Sequence, residues 1–579
     1  PLSNDAEIFT VPVICRPAPL PPPAAAASGP AQGQAHGTPP APGTIPPGTI
    51  PAAFPAPPES PADRLDRAAQ GLWPVAVAAP TGVGFCMALS PRFLARLPGF
   101  DTAFGRGYGE EVDWCQRAQR LGGRHVAATN LFVEHRSGAS FGQADKTRLL
   151  ARNGAEISRR YPGYDRTVQD FIRHDPLITP RLGLGLSWAA EAAGAAAVPV
   201  FLAHAMGGGA EDDLARRLAA AVAARGAGVV LRVGQGRRWQ VELATPQGRV
   251  QGQSDDEALV RALIARLPRR AVTYSCAVGD PDPMALPGLL CDLAGRARPG
   301  GSPLPGGPQP LVMLVHDFFP VSPSYTLLGA DGTYRGVPRP GTPAGADPAH
   351  APRGGTLARW QAAWGALALA ADEITVFSAA SRAILAEVWP AAAPAMALCP
   401  HALPEAIPRI APGRRADGLP VIGVLGNIGA HKGAGVLQSL ARALARHPRA
   451  GLVVLGQVDP GFPLAPPARV HGAYQRRDLA TLVARYGISC WLIPSVWPET
   501  FSFTTHEALA TGLPVFAFDL GAQGQAVAEA VAAGAPGAVL PLAAGGTAGG
   551  TAGGTAGGTA GGAALADAIL ARLSERPGR

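Results

Sequence analysis

From Val198 onward the chain repeats one simple unit, a short apolar run of strand length followed by an Ala/Leu/Arg-rich stretch of helical length. The first series reads VPVFLAHAM, a helix from Asp212, GVVLRV, LVMLVHDFF and DEITVFS. The second begins at Pro420 with VIGVLG, a helix from Gly433, GLVVLG, ARVHGAY, a helix from Arg477, CWLIPS, a helix from Thr504 and PVFAFD. Runs that are apolar throughout belong to strands covered on both faces, and strands joined by helices pair in parallel. The fold class is therefore α/β. Two doubly wound domains are expected in succession, over residues 198–415 and 416–579, with ligands at the carboxyl ends of their strands.

A chain of 579 residues is about twice the size at which a single core stops growing, so a further unit is expected ahead of Val198. Residues 1–150 form that unit, interrupted at 16–61 by a Pro/Ala/Gly-rich insertion that buries little, and residues 151–197 read as a helical connector. A GGTA repeat at 543–565 reads as a loop between the last strand and the final helix.

The formal charge of +8 comes with only 16% charged residues and no basic run with interleaved aromatics, which argues against nucleic acid as a partner. Lysine stands at Lys146 and Lys432 alone, the rest of the basic residues being arginine, and with the heavy Ala, Gly and Pro usage this reads as a high-GC bacterial coding bias. The seven cysteines are scattered without a CxxC pair and read as free thiols of a reducing cytoplasm. No stretch reads as a signal peptide or a transmembrane span. A cytoplasmic location follows, with any membrane contact peripheral at the inner membrane.

The sharpest chemical pattern is SVWPETFSFTTHEALATGLPVFAFD, where seven residues separate Glu499 from Glu507 across a strand-to-helix junction. A helix starting near Phe503 and Thr504 turns unsatisfied N–H groups and the positive end of its dipole toward whatever precedes it, which suits a diphosphate. Two ordinary helix-start glutamates would also favour that dipole, but Pro498, Gly512, Pro514 and the strand that follows extend the pattern. In GVLGNIGAHKGAGVL a strand, a glycine-containing loop and a helix bring backbone amides together with Lys432 and Gly433, again an arrangement for phosphate. HAMGGGAEDDL sets Gly207, Gly208 and Gly209 between a strand and a helix, where missing Cβ atoms permit close backbone approach. His316 and Asp317 stand at the carboxyl end of a strand, with Ser378, Arg382 and His401 as further cleft candidates.

Together these segments, from Val198 to the end, resemble the retaining family 4 glycosyltransferases, enzymes of the GT-B fold with two Rossmann-like domains facing a cleft. The resemblance implies that a nucleotide-diphosphate sugar is the donor and that Glu499 reaches the transferred sugar. It further implies that Glu507 accepts hydrogen bonds from the ribose diol, that Lys432 contacts the diphosphate, and that His316 serves in the active site. No metal cofactor is implied for this half. The family often carries an arginine a few residues before the lysine; here Asn427 and Ile428 stand there, which leaves the second phosphate contact open.

The segment from PTGVGFCMALS to VEHRSGASFG resembles the C-terminal half of a family 2 glycosyltransferase of the GT-A fold. Glu110 and Glu111 occupy the place of that family's acidic pair, with Glu111 as the base that takes the acceptor proton. His135 matches a histidine that completes a divalent Mg or Mn site whose other ligands, in a DxD motif, are expected ahead of Pro1. Without the resemblance, Glu110, Glu111 and Asp113 read as a solvated helix start. The whole is expected to be a bifunctional bacterial glycosyltransferase acting on a glycan or lipid-linked acceptor in surface polysaccharide synthesis. Two alternatives stand beside it, a nucleotide-sugar 2-epimerase of the same fold and a noncatalytic sugar-nucleotide-binding scaffold.

Overall fold

The computed structural model describes residues 60–72, 74, 76–105, 107–134, 143–403, 405–413, 415–545 and 558–574. It divides into two compact units, Pro1–Trp188 and Ala189–Arg579.

In the first unit, α1 (Pro61–Ala69) opens on a capping box in which Ser60 and Asp63 satisfy each other's backbone amides. Strands β1 (Ala76–Ala78) and β2 (Val126–Ala128) pair antiparallel. Between them lie α2 (Pro91–Leu94) and α3 (Glu110–Arg120). α3 carries Glu110, Glu111 and Asp113 in its first turn and Arg117 and Arg120 in its last, charge placed along the helix dipole. α4 (Gln143–Arg160), α5 (Tyr164–His174) and α6 (Ile178–Ala193) follow, and Ile157 and Tyr161 of this stretch share a core cluster with Phe104.

The second unit holds two sheets. The first is built from β3 (Val198–His204), α7 (Gly209–Arg225), β4 (Gly228–Val233), β5 (Trp239–Thr245), β6 (Gly248–Ser254), α8 (Glu257–Ile264), β7 (Arg270–Tyr274), α9 (Leu286–Leu293), β8 (Leu311–Leu314), α10 (Leu357–Ala370), β9 (Glu373–Val376), α11 (Ala379–Val388) and β10 (Met396–Leu398). Its strand order is β10-β9-β8-β7-β3-β4-β5-β6. β5 and β6 form an antiparallel hairpin at one edge, which the reading of a purely parallel sheet did not include. β6, GRVQGQS, has the polar composition of a half-solvated edge, a pattern too weak to stand out among buried runs.

The second sheet is built from β11 (Val421–Leu425), α12 (Ala434–Arg446), β12 (Gly451–Leu455), β13 (Arg469–Gly472), α13 (Leu479–Tyr486), β14 (Ile488–Ile493), α14 (Phe503–Ala510), β15 (Val515–Phe518), α15 (Gly521–Ala532), β16 (Gly537–Leu540) and α16 (Gly558–Ser574). The order is β13-β12-β11-β14-β15-β16, with every pairing parallel, which is the Rossmann order. Its strands β11 and β12 are buried on both faces: Ile422, Val424, Leu452 and Val454 join one apolar cluster, while Val421, Leu425, Val453 and Leu455 join the other. α16 begins at Gly558, inside the repeat read as loop. Leu565, Ala566 and Ile569 are fully buried against α12, and at Gly562 a Cβ would meet the Ser439 carbonyl at 2.2 Å, so packing turns the last of the glycine-rich repeat into helix.

The six cysteines within the described residues are free thiols, and among those residues no helix is long and apolar enough to cross a membrane.

Candidate functional site

In the C-terminal domain the strand order reverses between β11 and β14. The connections after these neighbouring strands depart to opposite sides and leave a crevice between them. Both sharp motifs fall there. The loop after β11 ends at Gly433, whose φ of +88° suits glycine and where a Cβ would lie 2.0 Å from the Pro494 carbonyl in the loop after β14. The Val496 amide donates to the His431 carbonyl at 3.1 Å, so the two loops are held together across the crevice.

Lys432 Nζ then stands 3.8 Å from Glu499 Oε2, a partly exposed ammonium over a carboxylate that is 3% exposed. Gln523 fixes the glutamate's loop, accepting from the Glu499 amide at 3.1 Å and donating to the Trp497 carbonyl at 2.8 Å. Immediately beyond, α14 begins at Phe503 behind Ser502, whose hydroxyl makes no cap to the first amides and accepts instead from Thr505 Oγ1 at 2.8 Å. Ser495 Oγ and Trp497 Nε1 are buried without a hydrogen-bond partner among the described residues. The uncapped start of α14, Ser495, Trp497 and Lys432 thus all belong to the two loops that bound the crevice, the segments for which a diphosphate contact was expected.

Glu507 is buried on α14, but it is already paired. Arg476 Nε donates to Oε1 at 2.6 Å and the Tyr474 hydroxyl donates to Oε2 at 3.0 Å. Burial and the Glu507 charge push the Tyr474 phenol well up, and the same carboxylate raises Arg476. Neither partner was singled out in the sequence, because AYQRRDL reads there as an ordinary helix start.

The N-terminal domain faces this crevice with its glycine loop and two histidines. Gly207 and Gly208 have φ of +76° and +89°, with open space where their Cβ atoms would be; at Gly209 a Cβ would lie 3.2 Å from the Phe503 ring. The His316 carbonyl accepts from Thr500 Oγ1 at 2.7 Å, which ties its loop to the residue after Glu499. Its ring turns away, to Asp213 on α7: Nε2 is 3.3 Å from Asp213 Oδ2, and His401 Nδ1 is 3.7 Å from Oδ1. His401 stacks on Phe377 at 3.9 Å and on Phe503 at 5.4 Å between ring centroids. Burial lowers both histidines, His401 to about 4, while Asp213 opposes the shift. Burial also works to raise the Asp213 carboxyl, but His316 and Arg217 outweigh it and hold the group below the ordinary carboxylate range. Ser378 is the buried cap of α11, accepting from the Ser381 amide at 3.1 Å, and Arg382 is exposed.

In the first unit Glu111 Oε2 accepts from the Gly109 amide at 3.1 Å. Burial, followed by the Glu111 charge, raises the Glu110 carboxyl, whose Oε2 finds no partner among the described residues. Asp113 is not part of a solvated helix start: it is 1% exposed and accepts from Arg117, Arg160 and Tyr161. His135 lies outside the described residues.

No protein-family model matches the chain, and no curated protein matches it in sequence. Solved structures it is similar to include the GtfA/B complex, at 15% identity and TM-score 0.35, covering 60% of this chain and 58% of that one. Anabaena HepE in complex with UDP and glucose is similar at 14% identity and TM-score 0.36, over 65% of this chain and 90% of that one. The apo form of the lipopolysaccharide outer core galactosyltransferase WaaB is similar at 11% identity and TM-score 0.32, over 65% and 99%. Likenesses this slight assign no activity.

Proposed function

We propose that residues 198–579 are a glycosyltransferase that takes its sugar from a nucleotide diphosphate, retaining the anomeric configuration. The observation that carries this reading is the pairing of Lys432 with Glu499 at the switch point of the C-terminal sheet, beside the uncapped start of α14. Lys432 and the first amides of α14 take the diphosphate and stabilise the leaving charge as it develops, with no metal needed for that role. Glu499 then holds the transferred sugar, and Glu507 the ribose once Arg476 has moved aside. Gly207 to Gly209 leave room for donor or acceptor, and His316 borders the site from the N-terminal domain. For the first unit we propose the inverting chemistry of the family 2 resemblance with Glu111 as base, and no step is assigned to a metal. A bacterial surface glycan or a lipid-linked precursor is the proposed acceptor.

The Arg476 and Tyr474 contacts on Glu507 favour a second reading, a module that binds sugar nucleotides without turning them over. Incubation of the chain with a panel of nucleotide sugars, with released nucleoside diphosphate as the readout, separates the two. Release that falls about 100-fold in Lys432→Ala and in Glu507→Ala supports transfer from this site. Tight binding with no release from any donor, before and after addition of glycan and lipid-linked acceptors, favours the second reading.

A further inference from the structure

The N-terminal sheet also reverses its order, between β3 and β7, and a buried cluster with mixed donors lies at that switch point. His204 ends β3, Cys276 follows β7 by two residues, and Asp317 follows β8 by three; the three strands are neighbours in the sheet. One ligating atom from each lies within 4.8 Å of the others, and the residues are 8%, 1% and 7% exposed.

Their surroundings leave the trio short of positive charge. Arg232 donates to the His204 carbonyl at 3.2 Å, but its guanidinium is spent on Glu211, by two hydrogen bonds of 2.7 Å, with Glu242 a further 3.7 Å contact. One Asp317 oxygen accepts from the Phe319 amide at 2.9 Å, which orients the carboxylate. The Tyr274 phenol, close enough to Asp317 and Cys276 to feel their charge, is buried without a hydrogen-bond partner among the described residues. Burial pushes the Cys276 thiol well up and the Asp317 carboxyl up to about 6.

We propose that His204, Cys276 and Asp317 bind one divalent cation of the zinc class. Imidazole, thiolate and carboxylate together suit a borderline-soft tetrahedral ion, whereas magnesium and calcium select oxygen. Metal–ligand bonds of about 2.0–2.3 Å put neighbouring donors roughly 3.5 Å apart, so the trio closes by no more than about 1.3 Å on binding. Three protein ligands leave a fourth position for water. As the metal–sulfur bond forms, the S–H bond breaks and its proton leaves to solvent, with that of Asp317 where the carboxyl holds one.

Binding also reaches the glycine loop. The Met206 amide donates to His204 Nδ1 at 3.2 Å. A metal on Nδ1 displaces that amide, and a metal on Nε2 requires the ring proton on Nδ1, so either mode ends the bond. The ion therefore uncouples Met206, at the head of Gly207–Gly209, from β3. This site belongs to the other domain from Lys432 and stands whether or not sugar transfer is confirmed.

The test uses the full chain, stripped with chelator and titrated with Co²⁺ under reducing conditions. One equivalent is expected to give tetrahedral d–d bands and a thiolate-to-cobalt charge-transfer band, both displaced by Zn²⁺. Cys276→Ser should remove the charge-transfer band, Asp317→Asn should weaken binding at least about 100-fold, and Cys399→Ser, at an exposed thiol, should change nothing. Zinc-edge absorption on the unmodified chain needs no variant and should report one sulfur with nitrogen and oxygen neighbours; amide exchange at Met206 should quicken. A zinc shell without sulfur, a charge-transfer band that survives Cys276→Ser, or no cobalt bands at all overturns the proposal.

Discussion

His401 packs between Phe377 and Phe503, and burial holds its imidazole down to about 4 while an unfolded chain would titrate near 6.5. The unfolded state therefore binds the extra proton first, and stability is full above about 6.5 and lost as the pH falls toward 4. His401→Phe keeps the stack and removes the proton site. Urea midpoints at pH 7 and pH 4.5 should move toward each other in this variant, by roughly 2–3 kcal/mol relative to the parent, with the other histidines that burial lowers, His204, His316, His350 and His431, contributing to the slope that remains. Equal acid sensitivity in the two proteins would refute the assignment.

The elements around the crevice owe their placement to glycine in two different ways. At Gly433 any Cβ meets the Pro494 carbonyl, so Gly433→Ala must part the loops after β11 and β14. We expect a loss of at least about 2 kcal/mol in chemical unfolding together with loss of nucleotide affinity. At Gly208 the same Cβ would meet nothing within 4 Å. Gly208→Ala should then cost roughly 1–3 kcal/mol, all of it from a φ of +89° and ψ of −168° that glycine alone adopts readily, and any larger effect should appear in ligand binding by calorimetry. Gly433 lay inside a motif visible in the sequence, but its contact did not, because Pro494 is far along the chain and only the adjacency of β11 and β14 brings the two together.

Across the second unit, the side-chain hydrogen bonds that join the two domains among the described residues include Thr500 to the His316 carbonyl, the Ala380 amide to Gln525 Oε1 at 2.8 Å, and Ser381 to the Thr500 carbonyl at 3.4 Å. Thr500→Val leaves both cores intact and removes one of these. Scanning calorimetry should show the unfolding of the two domains moving apart, with a change of about 1 kcal/mol in docking, while unfolding of the C-terminal core holds its position. If that core is destabilised instead, Thr500 belongs to the domain's own packing and not to the junction.

Sequence alone determined what depends on local order: two series of buried strands and helices, and Lys432, Glu499 and Glu507 beside a strand-to-helix turn, because hydrophobic periodicity and loop chemistry are written in neighbouring residues. Tertiary structure decided what depends on pairing. It seated the lysine over the first glutamate by bringing β11 beside β14. It set Arg476 and Tyr474 on the second, joined Asp213 to two histidines more than 100 residues away, and gathered His204, Cys276 and Asp317 at the end of three strands. Those groups are separated widely along the chain, and their electrostatics arise only when a shared sheet edge removes them from water together.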